Sequence, residues 1–273
     1  MAQPADTHRA QLDDVAVILC DLDGVVWLSH EAIEGSVEAV DRMRADGRRV
    51  VFVTNNSAPR LADHEAALGA IGIDARGAVV SSSMAAARLI ERGERVLISG
   101  GPGVAEAVQR RGAEAVRNDG NDDRRPCDAV VIGIDRSFDY QRLAWSARVV
   151  REGARLIATN GDATYPTPRG PEPGGGSLVA ALEVAAGVDA VVAGKPEAPM
   201  AALIVDDVLG GAADRALMVG DRPETDGLFA ARLGCPYAQV RSGVVAPGER
   251  VPPGVAVALD VADLAAVARS LIN

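Results

Sequence analysis

The sequence predicts an α/β protein built on a largely parallel sheet that is covered by helices. Short runs of valine, isoleucine and leucine alternate with amphipathic helical segments along the 273 residues. The runs are apolar throughout rather than alternating with polar residues, which is typical of strands buried on both faces of a parallel sheet. Several runs end in polar residues, and in such sheets function gathers at the carboxyl ends of the strands.

The individual elements follow from this alternation. The predicted strands are Val15–Cys20, Arg49–Val53, Ala78–Val80, Arg95–Ile98, Ala129–Ile134, Leu156–Ala158, Ala190–Ala193, Ala216–Val219 and Tyr237–Val240. The predicted helices are Ser36–Asp46, Leu61–Ala70, Met84–Arg92, Tyr140–Arg151, Pro199–Leu209 and Thr225–Leu233. Glycine and proline are frequent from Gly161 to Gly176, so this stretch predicts a long loop.

The position of the polar strand ends predicts two domains. Four strands end in unusually polar sets, namely Asp21 with Asp23, Thr54 to Ser57, Lys195, and Gly220 to Arg222. The middle of the chain has no comparable strand end and contains a charged stretch from Arg117 to Arg125. We therefore predict a core made of residues 12–87 plus 191–273 and an inserted α/β domain made of residues 88–190.

The composition excludes several classes of partner. A hydrophobic content of 48% and a charged content of 24% are those of a water-soluble globular protein. The formal charge of -10 argues against nucleic acid and anionic membrane. No apolar stretch is long enough to cross a bilayer, and no signal-like segment is visible. The three cysteines have no metal-type spacing and are odd in number, so we expect a reducing, cytoplasmic setting.

Two acids follow the first predicted strand in the segment Asp21-Leu22-Asp23-Gly24. Their i, i+2 spacing places both carboxylates on one side of the chain where the strand ends. Two such carboxylates repel each other, so they need a cation or a shared proton, and magnesium with a phosphate ester would compensate them. In phosphoryl transfer Asp21 would attack phosphorus, and Asp23 would protonate the leaving oxygen and then activate water. The alternative is a polar strand end followed by a turn.

A second pair of acids follows the strand that ends at Val219. Asp221 comes after a buried run and is expected to complete a magnesium site with the first pair of acids. Asp226 lies five residues further on, after a short turn. It would either orient a magnesium-bound water or cap the helix that follows, where a negative charge is favourable.

Polar groups suited to phosphate follow two other strands. Thr54, Asn55 and Asn56 offer hydroxyl, amide and backbone N–H donors, although a polar turn with a helix cap would use the same residue types. Lys195 is the only lysine among 28 basic residues. All the other residues in that count are arginine. A compact ammonium at this one strand end, in place of a wide planar guanidinium, indicates a tight site between a carboxylate and a phosphate.

Taken in order, these motifs resemble those of the haloacid dehalogenase superfamily of phosphohydrolases. The similarity is greatest to the branch that contains p-nitrophenyl phosphatases, phosphoglycolate and glycerol-3-phosphate phosphatases, and pyridoxal phosphatase. The matching segments are Asp21 to Val25, Thr54 to Ser57, Asp135 to Tyr140, Ala158 to Asp162, Gly194 to Pro196 and Gly220 to Asp226.

The resemblance implies a Rossmann-like core with a large α/β cap inserted between the Thr54 and Lys195 motifs. It implies that Mg²⁺ is bound by the Asp21 carboxylate, the Asp23 carbonyl and Asp221. It further implies that Thr54, Asn55 and Lys195 hold the phosphoryl group. Asn160, Asp162 and Tyr165 fall in the cap loop that selects the substrate, and Tyr165 replaces the histidine of pyridoxal phosphatases. A homodimer through the cap is a further expectation.

The expected activity is magnesium-dependent hydrolysis of a small phosphorylated metabolite. Aromatic residues make up 3% of the chain, which favours aliphatic esters such as glycerol phosphate or phosphoglycolate over ring-bearing ones. A phosphotransferase or mutase on the same core is the second hypothesis. A non-catalytic protein that binds a phosphometabolite is the third, and the intact set of Asp21, Asp23, Lys195 and Asp221 argues against it.

Overall fold

Two parallel sheets contain most of the strands in the computed structural model, which describes residues 12–121, 123–167, 170–243 and 251–272. These residues form two compact units. The first unit comprises the described residues up to Thr54, Glu65–Val80, and those from Ile204 onward, and the second comprises Asn55–His64 and Ser81–Leu203. The α/β fold is confirmed, whereas the domain boundaries at residues 87/88 and 190/191 stay predictions.

The strands and helices alternate as the sequence indicates. The first half of the chain contains β1 (Val17–Cys20), β2 (Trp27–Leu28), β3 (Glu31–Ala32), α1 (Ser36–Ala45), β4 (Arg49–Thr54), α2 (Leu61–Ala70), β5 (Val79–Ser81), α3 (Ser82–Ala87), β6 (Arg95–Ser99), α4 (Pro102–Arg110), β7 (Glu114–Arg117) and β8 (Ala129–Ile132). The second half contains α5 (Tyr140–Arg151), β9 (Arg155–Ala158), β10 (Thr164–Thr167), β11 (Gly170–Pro173), α6 (Gly175–Ala186), β12 (Val191–Val192), α7 (Ala198–Leu203), π1 (Ile204–Leu209), β13 (Ala216–Gly220), π2 (Pro223–Gly227), α8 (Leu228–Leu233), β14 (Tyr237–Val240), β15 (Val257–Val261) and α9 (Leu264–Leu271), where π1 and π2 are π-helical turns.

The six-stranded sheet has the order β15-β14-β13-β1-β4-β5. In its centre β1 runs parallel to both β13 and β4, and Cys20 pairs with Val219 on one side and Phe52 on the other. All of β13 is buried, because its side chains are apolar on both faces. This register places the residues that follow β1 and β13 side by side at the same edge of the sheet.

The five-stranded sheet has the order β12-β9-β8-β6-β7 and is parallel throughout. Its core is formed by apolar residues of β6, β8 and β9 together with α5 and α6, including Leu97, Val130, Trp145, Leu156 and Leu182. No helix among the described residues is long and apolar enough to cross a bilayer.

Every predicted strand is present, with ends that agree to within two residues. The stretch Gly161–Gly176 was wrongly predicted as a loop. It contains the antiparallel hairpin β10–β11, and α6 begins at Gly175. Glycine serves here for close packing, because a Cβ at Gly174 or Gly176 would overlap the backbone of residues 161–164.

Three predicted helices differ from the observed ones. The helix predicted over Met84–Arg92 begins two residues earlier and ends five residues earlier, as α3 (Ser82–Ala87). Pro199–Leu209 was expected as one helix but divides into α7 and π1, and the helix expected from Thr225 begins earlier, with π2 at Pro223. Wider π turns are common beside functional sites, and π2 follows directly after the acid at Asp221.

Arg95, at the start of β6, anchors the segment that precedes β8. Its buried guanidinium donates to the carbonyls of Arg125 and Pro126 and pairs with Asp123 and Glu114. We expect Arg95→Met to lower the free energy of unfolding by about 2–4 kcal/mol, because two carbonyls lose a donor, Asp123 loses its ion pair, and Glu114 keeps only Arg125.

Urea denaturation followed by circular dichroism measures this loss. Arg76→Met is the matched control, because Arg76 forms a bidentate pair with Asp74 that is fully exposed, and it should change stability little. Equal losses in the two variants would contradict the anchoring role of Arg95.

Candidate active site

Three buried acids meet at the carboxyl edge of the six-stranded sheet. Asp21 follows β1, Asp221 follows β13, and Asp226 lies in π2. One carboxylate oxygen of each lies within 4.8 Å of the others, and the three residues are 8%, 1% and 1% exposed. Asp21 and Asp221 are brought together by the register of β1 with β13, and the backbone N–H of Asp21 donates to Val219 O at 2.9 Å.

Asp226 is placed by the turn that follows Asp221. Its Oδ2 accepts a hydrogen bond from the Arg222 N–H at 3.2 Å, so it holds the start of the π2 turn closed. Its side chain also packs on Gly220, where a Cβ would overlap the carboxylate. The side chain thus stabilises the turn and also belongs to the acid cluster, while the two roles considered for Asp226 stay predictions.

Asp221 is enclosed by two glycines. Gly24 adopts φ +87°, and a Cβ there would lie 2.5 Å from Asp221 Oδ2. A Cβ at Gly243 would overlap the same carboxylate. Ser242 Oγ donates to Gly24 O at 2.7 Å and so ties the two glycine segments together. The carboxylate is therefore fixed by backbone on two sides.

The acid cluster fits a divalent cation. Three buried carboxylates within 4.8 Å are a hard oxygen donor set of the kind that Mg²⁺ and Ca²⁺ prefer. The neighbouring Tyr237 hydroxyl donates to Gly220 O at 3.1 Å. Burial raises the pKa of Tyr237 far above its usual range, and the negative charges of Asp226, Asp221 and Asp21 raise it further.

Asp23 lies on the turn between β1 and β2 and is not one of the three clustered acids. Its Oδ1 accepts a hydrogen bond from Trp27 Nε1 at 3.1 Å, and the turn is closed by the Gly24 N–H, which donates to Trp27 O at 2.8 Å. Trp27 is almost fully buried, so this bond fixes the orientation of the Asp23 carboxylate.

A second polar cluster, in the second unit, is centred on Asn55. Its Oδ1 accepts from the Lys195 N–H at 2.8 Å, and its Nδ2 donates to Lys195 O at 3.0 Å and to Asp162 Oδ2 at 3.1 Å. The carbonyl of Asn55 accepts from Ser82 Oγ at 2.7 Å and from Asn160 Nδ2 at 2.8 Å. Asn55 thus clamps the backbone of Lys195 with both ends of its amide, and Lys195 is only 3% exposed.

The remaining candidate residues lie near these two clusters in sequence. Thr54 is the buried last residue of β4 and directly precedes Asn55. Asn56 Oδ1 accepts from the Ala58 N–H at 3.3 Å, which gives its side chain a turn-forming contact. Tyr165 lies on β10 opposite Glu172 of β11. The roles predicted for the candidate residues stay predictions.

Sequence reasoning missed several residues that shape the two clusters. The sequence did not mark Ser82, Trp27 or Gly243 as site residues, although each contacts a candidate residue or would collide with one if it carried a Cβ. The one signal in the sequence was the position of Trp27, four residues after Asp23. The contacts of Ser82 and Gly243 are made across 27 and 22 positions of the chain and left no local pattern.

Known proteins match this chain in sequence and in fold. A haloacid dehalogenase-like hydrolase model matches residues 18–114, and a HAD-hydrolase-like model matches residues 192–264. D-glycerol 3-phosphate phosphatase of Mycobacterium tuberculosis is 42% identical over 233 residues, which cover 83% of this chain but only 63% of that enzyme. Phosphoglycolate phosphatase 2 of Arabidopsis thaliana is 31% identical, with 92% of this chain and 90% of that protein covered.

A solved structure extends the likeness to three dimensions. The crystal structure of glycerol phosphate phosphatase from Mycobacterium tuberculosis in complex with magnesium superposes with a TM-score of 0.82 at 35% identity, covering 96% of this chain and 77% of that one. The resemblance seen in the sequence is therefore confirmed. On the matched residues, the identities and the fold, the chain belongs to the haloacid dehalogenase-like hydrolases.

Proposed function

We propose that this chain is a magnesium-dependent phosphatase of small phosphate monoesters of the glycerol phosphate or phosphoglycolate class, acting through an aspartyl phosphate on Asp21. The observation that carries the proposal is the cluster of Asp21, Asp221 and Asp226 at the ends of β1 and β13. The relatives named as glycerol 3-phosphate and phosphoglycolate phosphatases, and the magnesium complex of the first, support the same activity.

The chemistry assigned to the chain's own residues has two steps. In the first, a carboxylate oxygen of Asp21 forms a bond to phosphorus while the bond from phosphorus to the ester oxygen breaks, and Asp23 gives its proton to the departing alcohol. In the second, Asp23 takes a proton from water, whose oxygen bonds to phosphorus and releases phosphate from Asp21. The enzyme returns to its starting state, with Asp23 protonated and Asp21 ionised.

The assignment of binding roles follows the resemblance. Asp21, Asp221 and the Asp23 carbonyl would hold Mg²⁺, and Asp226 adds a third carboxylate to the cluster. The bound ion would neutralise charge on the phosphoryl oxygens. Thr54, Asn55, Asn56 and Lys195 are assigned to the phosphoryl group, and Asn160, Asp162 and Tyr165 to the rest of the substrate.

The direct test is phosphate release from glycerol 3-phosphate, 2-phosphoglycolate, AMP and pyridoxal 5′-phosphate, each with Mg²⁺ and with EDTA. We expect the first two to be the best substrates and EDTA to abolish turnover. Phosphate transfer to added glycerol in preference to water would favour the phosphotransferase hypothesis, and magnesium binding without turnover of any ester would favour a binding protein.

Asp23→Asn should separate the two steps. With p-nitrophenyl phosphate, whose leaving group needs no proton, we expect a burst of one p-nitrophenolate per enzyme followed by turnover slowed about 10²–10⁴-fold. With glycerol 3-phosphate no burst is expected. Asparagine keeps the oxygen that accepts from Trp27, so the local fold is preserved. Equal slowing with both esters and no burst would contradict the assigned role of Asp23.

Gly243→Ala should impair the same reaction without touching a reacting group. The added methyl group would displace the Asp221 carboxylate, and a displacement of about 1 Å is expected to lower kcat/KM by about 10²-fold. The apparent affinity for Mg²⁺ should fall as well. Gly69→Ala in α2 is the matched control, because a Cβ there meets nothing within 4 Å. Unchanged activity in Gly243→Ala would show that Asp221 need not be held in place.

A further inference from the structure

A cleft of about 840 Å³ opens at the carboxyl ends of β6 and β8, within the second unit. Its walls are formed by the segments that follow these two strands, by one face of α4, and by Ala58, Arg60 and Arg117. None of the residues of the Asn55 cluster lines it. The volume is that of a pocket for a small molecule.

The cleft lies where the strand order of the five-stranded sheet reverses. The chain passes from β6 through α4 to β7 on one side, and then crosses back to place β8 on the other side of β6. The segments that leave β6 and β8 therefore diverge and open a crevice between them. In open parallel sheets this crevice, beyond the carboxyl ends of the strands, is where ligands bind.

The turn that opens α4 shapes one wall of the cleft but offers few backbone donors. A Cβ at Gly101 or Gly103 would overlap the backbone of residues 57–59, so this turn must lie flat against that segment. The Gly103 N–H donates to Ala58 O at 2.9 Å and the Val104 N–H to Gly101 O at 3.1 Å, while Pro102 has no N–H. Recognition of a ligand therefore falls to side chains.

Two arginines of the cleft are available to bind an anion. Within the described part of the chain, the guanidinium groups of Arg60 and Arg117 form no hydrogen bond or ion pair, although both residues line the cleft. Among the other charged residues of the lining, Glu106 pairs with Arg110 at 3.0 Å and Arg136 pairs with Glu172 at 2.7 Å. Asp135 accepts from the neutral Ser137 Oγ at 2.6 Å and keeps its single negative charge, which the two arginines outweigh. In a chain of formal charge -10, two uncommitted arginines at one cleft are a local excess of positive charge.

We propose that this cleft binds a small metabolite that carries two or more negative charges, with Arg60 and Arg117 as its anion-binding groups. Ile98, Pro102 and Ile134 supply an apolar wall for the carbon skeleton. Among the residues that the structure describes, no aromatic side chain lines the cleft, which favours a ligand without an aromatic ring. The proposal is independent of the phosphatase activity.

Isothermal titration calorimetry with pyrophosphate and with citrate tests the site and separates phosphate-type from carboxylate-type ligands. Metal is removed from protein and buffer with a chelating resin, because EDTA is itself a small polyanion and would compete for the cleft. The variants are Arg60→Gln/Arg117→Gln and the charge-matched control Arg92→Gln/Arg111→Gln, whose side chains are exposed outside the cleft. At least one of the two anions should bind to the wild type and to the control with similar affinity. Its dissociation constant for the cleft variant should be about tenfold higher or more, because the loss of one charge-assisted hydrogen bond weakens binding by about that factor.

Three results would overturn the proposal: equal affinity in all three proteins, no binding of either anion at millimolar concentration, or binding that Lys195→Met removes and the cleft variant keeps. If the Arg60→Gln/Arg117→Gln protein fails to fold, a second variant tests the same site. Ala105→Glu adds a negative charge to the α4 wall and leaves both arginines in place, so it too should weaken binding about tenfold. Unchanged affinity in a folded Ala105→Glu protein would equally overturn the site.

Discussion

Asp21→Asn should lower the rate of phosphate release by about 10⁴-fold or more, because removing a nucleophile that forms a covalent intermediate removes the main route of the reaction. The substitution is nearly isosteric. It keeps the oxygen and replaces the attacking carboxylate by an amide that does not attack phosphorus. Phosphate release from glycerol 3-phosphate with Mg²⁺ measures the effect.

The same variant carries its own control for folding. Asp21, Asp221 and Asp226 place three buried carboxylates within 4.8 Å, so removing one charge relieves repulsion when no cation is present. In EDTA the Tm of Asp21→Asn should therefore equal or exceed that of the wild type. Added Mg²⁺ should raise the wild-type Tm more than that of the variant, because a ligand that binds the native state stabilises it in proportion to its affinity.

Two results would contradict the assignment of Asp21. Activity that stays within tenfold of the wild type would show that another group attacks phosphorus. A marked fall of Tm in EDTA would show that Asp21 has a structural role, and that lost activity reports lost folding.

The strand ends that carry the acids could be predicted because their cause is local. The run from Val15 to Cys20 is apolar at every position and is followed directly by Asp21. The run from Leu217 to Val219 is also apolar at every position, and Asp221 follows it after one glycine. Parallel pairing of such strands brings their carboxyl ends to one edge of the sheet. The structure places Asp21 and Asp221 together as this argument requires.

The elements that could not be predicted lack such a local pattern. The strands β2 and β3 have two residues each, and β7 is Glu-Ala-Val-Arg, with both ends exposed. The strands β2 and β3 pair only with each other, and β7 depends on β6, about 19 positions earlier in the chain. The hairpin β10–β11 contains prolines and glycines that read as loop formers, yet its pairing runs from Thr164 with Pro173 to Thr167 with Gly170.

The contacts within the Asn55 cluster could not be predicted from the sequence either. Residue type identified Asn55 and Lys195 separately as phosphate-binding candidates. That the amide of Asn55 binds the backbone N–H and carbonyl of Lys195 depends on a contact across 140 positions of the chain. The glycines that permit this contact, such as Gly194 against Asn55 Oδ1, are equally invisible to local patterns.

Lys195→Arg should lower kcat/KM by about 10²–10³-fold although it conserves the charge, since losing one preorganised electrostatic donor costs about that much. The backbone cannot shift to admit the larger group. Asn55 binds both the N–H and the carbonyl of Lys195, and a Cβ at Gly194 would lie 2.5 Å from Thr159 O, so the segment is packed on two sides. A guanidinium is wide and planar, and the position is only 3% exposed.

Three variants decide whether shape or charge matters at this position. Lys195→Met removes the charge and should be at least as impaired as Lys195→Arg. Arg76→Lys, an exchange at an exposed arginine, should leave kcat/KM unchanged. Asn55→Ala keeps the ammonium but removes the hydrogen bonds that hold its backbone, so its loss of kcat/KM should be smaller than that of Lys195→Met and should come with a lower Tm. Near-normal activity in Lys195→Arg would show that a positive charge is sufficient, and that the retention of this single lysine among 28 basic residues has no catalytic cause.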